Sequence, residues 1–133
     1  MNNDPTLTLD WATGEPVYEQ IADQIRDRIA AGDLPPGHAL PPVRTLASDL
    51  GVNLNTVARA YRQLEEQGFV LIRDRAGAEV AAPAATADPD SLERLRHELR
   101  DVLQRMRQAG VTPDEIRGAV ESIVARTDRA PRR

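Results

Sequence analysis

Cysteine and lysine are both missing from this chain of 133 residues, and aromatics make up only 3% of it. Without cysteine there are no disulfides and no thiolate metal sites, which suits a reducing, cytoplasmic setting. His38 and His97 lie far apart, neither with a second ligand beside it, and no glycine-rich loop stands ready to cradle a phosphate. Neither a metal cluster nor a nucleophile–base pair takes shape, so an enzyme is not expected and no cofactor is assigned. No apolar run is long enough to span a membrane. The opening MNNDPTLTLDW lacks the cationic start and apolar middle of a secretory signal. One Trp, one Phe and two Tyr leave the core to be built from aliphatic side chains and alanine.

An apolar fraction of 41% and a charged fraction of 29% fit a globular protein. The length allows one domain with an appendage, or two very small domains. The net charge of −4 speaks mildly against nucleic-acid binding. Its distribution speaks the other way. All 17 basic residues are Arg, the better partner for bidentate contacts to phosphate and guanine. Between positions 44 and 75, Arg44, Arg59, Arg62, Arg73 and Arg75 stand against Asp49, Glu65, Glu66 and Asp74. The excess acid lies in the first helix and the C-terminal part, so one face is locally basic.

The stretch VRTLASDLGVNLNTVARAYRQL, Val43 to Leu64, predicts two helices around a tight corner. Leu46, Ala47 and Leu50 make the apolar face of the first. Gly51 supplies the corner, where a positive φ is wanted, and Val52 plugs it. Asn53 is placed to cap the second helix. There Leu54, Val57, Tyr61 and Leu64 recur at three- and four-residue spacing and form one buried stripe. Asn55, Thr56, Arg59, Arg62 and Gln63 occupy the opposite face, with chemistry suited to base edges and phosphates. A small Ala47, Gly51 four later and Val57 six after that match the packing pattern of a helix-turn-helix. An ordinary helical hairpin with a solvated polar face would share much of this pattern.

Met1 to Pro16 reads as an extended arm, with Leu7 and Leu9 alternating with polar residues as in a short edge strand, and Trp11 is expected to cover the core edge. Pro16 opens a helix to about Ala31, striped by Val17, Ile21, Ile25 and Ile29 and stopped by Gly32. Pro35-Pro36-Gly37 forms an irregular loop in which His38 is solvated. Pro42 suits the first turn of the next helix, and Arg44 beside it could reach a phosphate or pair with Asp49. Phe69-Val70-Leu71-Ile72 and Glu79-Val80 predict a two-stranded wing around a loop carrying Arg73 and Arg75. AAPAATADPD, residues 81–90, reads as a linker.

Two amphipathic helices follow over 91–127. Leu92, Leu95, Leu99, Val102 and Met106 stripe the first, with Leu103 alongside, and Gly110 ends it. Thr112-Pro113-Asp114-Glu115 matches a capping box before Ile116, Ala119, Val120, Ile123 and Val124. His97 is expected to be exposed, and the basic tail 128–133 to be frayed. Such a hairpin buries its stripes poorly alone, so pairing with a second copy into a small bundle is expected.

Residues Pro16 to Val80 resemble the N-terminal winged helix-turn-helix of the GntR family of bacterial transcription regulators. The carrying residues are PVYEQI (16–21), GDLPPG (32–37), LPPVRTLA (40–47), GVN (51–53), NTV (55–57) and RAY (59–61), then Leu64-Glu65 and Gly68. The short two-helix end is similar to the YtrA subfamily, whose C-terminal part serves dimerisation. The resemblance implies DNA contacts at Arg44, Asn53, Asn55, Thr56 and a wing around Arg75 and Gly77. Pro42 replaces a common capping Ser, and Leu54 and Ala58 stand where many members carry Arg, shifting weight to Asn55 and Arg59. The wing reads Ala76-Gly77-Ala78-Glu79-Val80 where Gly-x-Gly-Thr-Phe-Val is common.

The expected fold is therefore mostly α with a small β wing: a winged helix-turn-helix over 1–80 and a C-terminal antiparallel two-helix dimerisation segment. The expected function is that of a homodimeric repressor on an inverted repeat in double-stranded DNA. Arg44, Arg62, Arg73 and Arg75 would hold phosphates, while Asn55, Thr56 and Arg59 approach bases. The resemblance also implies a small-molecule effector, of unknown identity. The tail is too short to enclose a pocket, so such a ligand would sit at the dimer seam or between the domains. The rival reading is a protein–protein adaptor built on the C-terminal helices.

Overall fold

The computed structural model describes residues 7–73 and 77–128. Among the described residues, five helices and two strands follow one another as α1 (Val17–Ala30), α2 (Val43–Leu50), α3 (Leu54–Glu66), β1 (Val70–Arg73), β2 (Gly77–Val80), α4 (Pro89–Gln108) and α5 (Pro113–Asp128). They group into two compact units, one ending at Pro83 and the other running from Ala84 to Asp128. Arg75, expected in the loop of the wing, and the basic tail beyond Asp128 lie outside the described residues.

In the first unit, α1 turns Ile21, Ala22 and Ile25 fully inward, with Val17 and Ile29 packed at the margin. The helix stops where Asp33 N–H reaches back to Arg28 O at 2.9 Å, a reversal that Gly32 permits with φ +86°. Leu34 then drops into the core.

Residues 7–16, the described part of the arm before α1, pair with no strand among the described residues. Two glutamine amides on α1 take the place of one. Gln24 accepts from Thr8 N–H at 3.0 Å and donates to Thr8 O at 2.7 Å. Gln20, itself buried, does the same for Asp10 at 2.8 and 2.9 Å. Leu7 and Leu9 are thereby laid against the core, and they cover the edge expected of Trp11. Trp11 itself is 70% exposed, because the turn after Asp10 swings it outward.

The loop between α1 and α2 is less irregular than its prolines suggest. Gly37 N–H donates to Val80 O, Val80 N–H to His38 O, and Leu40 N–H to Ala78 O, all within 2.8–2.9 Å. Ala39 thus bridges Glu79, and β2 is flanked by this loop as well as by β1. His38 is consequently half-buried rather than solvated, and its Nε2 is enclosed with no hydrogen-bond partner among the described residues.

β1 and β2 pair antiparallel in the register Val70↔Val80 to Arg73↔Gly77. Arg73, Gly77 and Ala78 belong to the strands and not to the loop between them. Val70, Ala78 and Val80 seal the wing to the core formed by Ile21, Ile25, Leu46, Val57, Tyr61 and Leu64.

The second unit contrasts with this. Asp88 caps α4 by accepting from Ser91 N–H and Ser91 Oγ, both at 3.0 Å, and Pro89 occupies the first turn. The helix therefore starts before residue 91. Thr112 and Glu115 form the reciprocal capping box at the start of α5, at 2.9 and 3.2 Å. Yet none of the 20 residues of α4 is buried. Leu92, Leu95, Leu99 and Val102 are exposed on α4, as are Val120, Ile123 and Val124 on α5, while Leu103, Met106 and Ile116 are half-covered.

Candidate nucleic-acid interface

The recognition element is assembled by capping at both sides of one corner. α2 ends at Gly51, which adopts φ +70° and ψ +35°, a left-handed conformation that costs a Cβ-bearing residue energy. Gly51 N–H and Val52 N–H then satisfy the carbonyls of Ser48 and Ala47 at 3.3 and 3.0 Å. Two residues on, Asn53 Oδ1 accepts from Asn55 N–H at 2.7 Å and starts α3. A C-cap and an N-cap only two residues apart leave no slack between the helices, so the angle of α3 is set locally.

Burial sets which face α3 presents. Val57, Ala60, Tyr61 and Leu64 point into the core. Tyr61 is also tethered at its far end, where its hydroxyl donates to Pro41 O at 2.6 Å in a buried bond. The helix can neither roll nor slide without breaking that bond. Asn55, Arg59 and Arg62 are therefore held outward, with Thr56 half-exposed between them. Leu54, at the first position of α3, is 41% exposed and belongs to the outer face more than to the stripe assigned to it.

The site residues differ in how free they are. Among the described residues, no hydrogen bond or ion pair engages the side chains of Arg44 or Arg62. The pairing of Arg44 with Asp49 does not form. Asn53 has its oxygen engaged in the cap. Arg73 is bound by Glu79 at 3.0 Å, and that carboxylate raises the guanidinium's pKa further above its usual value through a hydrogen bond and charge attraction. Gly77 takes φ +90° beside Pro42, so the wing returns close to the start of α2. Glu65 joins wing to helix by accepting from Ile72 N–H at 3.2 Å. Arg44, α3 and the wing thus belong to one rigid body whose outward side is polar and rich in arginine.

One residue of this surface escapes a reading of α2 and α3 alone. Tyr18 of α1 lies under Arg59, with the guanidinium carbon 3.8 Å from the ring centroid. Tyr18, Asn53, Asn55, Thr56 and Arg59 line a single open depression. The one hint in the sequence is that Tyr18 precedes Ile21 by three residues and so flanks the inward stripe. Among the described residues, no group of His, Asp and Glu is arranged to hold a metal ion, and no helix is long and apolar enough to cross a membrane.

Comparison with known proteins agrees with this geometry. The family model for bacterial regulatory proteins of the gntR family matches residues 17–80. The chain is 35% identical over 106 residues to the HTH-type transcriptional regulator YhcF of Bacillus subtilis, covering 80% of this chain and 88% of that one. It is 28% identical over 120 residues to the HTH-type transcriptional repressor YtrA of the same organism, covering 90% and 92%. The HTH-type transcriptional regulator Rv1152 of Mycobacterium tuberculosis is 51% identical over 71 residues, 53% of this chain and 59% of its own length.

Among solved structures, YtrA from Sulfolobus acidocaldarius, a GntR-family transcription factor, superimposes with a TM-score of 0.62 at 38% identity, covering 74% of this chain and 94% of that one. AraR(DBD) in complex with operator ORX1 superimposes with a TM-score of 0.51 at 25% identity over 57% of this chain and 95% of that one. The winged helix-turn-helix, its capped corner and these relatives together make the chain a member of the GntR family, on its YtrA-like branch, and hence a DNA-binding transcriptional regulator, not an enzyme.

Proposed function

We propose that the protein is a homodimeric repressor that places one α3 in each of two major grooves of an inverted repeat. The observation that carries this reading is the pairing of two incomplete surfaces in one chain. One is an outward row of amides and guanidiniums on a rigidly held helix. The other is a 20-residue helix, α4, with no buried residue.

A second copy is the occupant that fits the exposed stripe. Leu92, Leu95, Leu99, Val102 and Met106 of α4, with Ile116, Val120 and Ile123 of α5, offer an apolar seam that α4 and α5 hardly cover for each other. Two such hairpins bury those side chains mutually, as in a four-helix bundle. Twofold symmetry then demands a palindromic site.

On that site, Arg44, Arg62, Arg73 and Arg75 hold phosphates. Asn55, Thr56 and Arg59 approach base edges, and Asn53 contributes through the cap that orients them. Gly77 lets the wing turn closely beside Pro42 and follow the neighbouring backbone. A protein seated in this way across a promoter excludes polymerase, which is the basis for repression, and it works in the cytoplasm on the nucleoid. The relative YtrA carries the name of a repressor, and AraR(DBD) has been crystallised on an operator.

The test is a gel-shift titration on a duplex selected by the chain from a randomised pool, repeated over a salt series. Affinity is expected to fall steeply with salt, and Arg62→Ala and Arg73→Ala each to lower the slope by about one. Salt-independent binding would contradict the phosphate assignment. Sedimentation of the same sample should give twice the protomer mass; a monomer would overturn the dimer and favour the adaptor reading of α4 and α5.

A further inference from the structure

Arg59 does not stand alone on the recognition helix. Its guanidinium lies on the Tyr18 ring with the carbon 3.8 Å from the centroid, and its Nη2 donates to Tyr18 Oη at 3.2 Å. The contact spans 41 positions of sequence and joins the first turn of α1 to the middle of α3. One face of the guanidinium is covered and one of its five N–H groups is engaged. Among the described residues the other donors of Arg59 are unengaged, and Arg59 lines one depression together with Asn55 and Thr56.

Packing of the two helices does not need this contact. Ile21, Ala22 and Ile25 of α1 and Val57, Ala60, Tyr61 and Leu64 of α3 are already fully buried behind it. Arg59 is exposed and Tyr18 only half-buried. A long Arg side chain on an open helix face would otherwise sample many rotamers and lose that freedom on binding. A cation–π stack closed by a hydrogen bond confines it beforehand.

We propose that Tyr18 is a positioning residue of the DNA interface: its ring and hydroxyl hold Arg59 in line with Asn55 and Thr56 before DNA arrives, so the affinity that Arg59 supplies depends on Tyr18. This rests on the proposed use of α3 against DNA. Its particular content is that Tyr18 acts through Arg59 and not by a contact of its own. The surface that binds then includes α1, and the specificity of α3 is tuned from outside the helix-turn-helix.

A double-mutant cycle tests it on the full chain, with the duplex selected by the wild-type protein as probe. Tyr18→Leu is expected to weaken binding about three- to fivefold, the scale of one partly exposed cation–π contact. In an Arg59→Ala background the same change is expected to cost nothing further. Tyr18→Phe, which keeps the ring, should lose less than Tyr18→Leu, and again only while Arg59 is present. In the free protein, the side-chain protons of Arg59 should show ring-current shifts in the wild type and in Tyr18→Phe that vanish in Tyr18→Leu.

Equal losses in both backgrounds, for Leu or for Phe, would mean that Tyr18 touches DNA itself or only supports the fold, and would overturn the proposal. So would an Arg59 whose protons feel no ring. A wild-type chain that binds duplex while failing the cycle removes the positioning role and leaves the proposed function standing. A wild-type chain that selects no duplex removes both.

Discussion

The two units of this chain solve the burial problem in opposite ways. The first has a 14-residue α1, a short α2, α3 and a small wing, yet it closes a core in which Ile21, Ile25, Val57, Leu64, Val70 and Val80 are almost wholly inaccessible. The second has longer and better-capped helices but leaves Leu95 61% and Leu99 55% exposed. Helix quality and core quality are therefore independent. Capping boxes and proline starts make α4 and α5 form, but two helices enclose too little volume to hide a stripe on each. The first unit succeeds because three helices, a wing and a loop converge from different directions on one centre.

This contrast is best broken by changing one leucine on each side. Leu64→Ala empties a site with no solvent access and is expected to cost about 2–5 kcal/mol, enough to threaten the fold of the first unit in thermal denaturation. Leu99→Asp is expected to leave the folded protomer intact while abolishing the dimer in sedimentation. Operator affinity should then fall by about a hundredfold or more as the linkage of two half-sites is lost. A Leu99→Asp protein that remains dimeric would place the seam elsewhere.

Smaller effects sharpen the picture inside the first unit. Tyr61→Phe keeps the ring but strips the partner from the buried Pro41 carbonyl, at a cost of about 1–3 kcal/mol by chemical denaturation. Asn53→Ala removes the cap of α3 and should cost about 1 kcal/mol, with DNA affinity falling alongside stability.

The smallest effect concerns acid and the second unit. The backbone N–H and then the hydroxyl of Ser91 hold the Asp88 carboxyl below its ordinary range, and Thr112 does the same for Glu115. Both folded pKa values thus lie below the unfolded ones. Their stabilisation is complete above the unfolded values and disappears as pH falls through the folded ones. Circular dichroism of the full chain should show helix loss in that acid window. Asp88→Asn combined with Glu115→Gln should flatten that pH dependence.

Much of the first unit is legible along the chain because its cues are local. Gly51, Asn53 and the spacing of Val57, Tyr61 and Leu64 report a corner, a cap and a stripe without reference to anything distant. Where a cue is hidden by composition, the boundary moves. Asp88-Pro89 starts α4 inside a run of Ala and Pro that otherwise spells linker. The pairing of Ala39 with β2 is masked by the prolines on either side of it.

The order of residues by itself determined the helix-turn-helix, the existence of a wing and the amphipathic character of the two last helices, since periodicity and capping act within a turn or two of the backbone. Only the tertiary structure decided that Gln20 and Gln24 bind the arm, that Trp11 is displaced from the core edge, that Arg73 faces Glu79 and that Tyr18 lies beneath Arg59. Those outcomes depend on which side chains long-range packing brings together, and no local spacing records it.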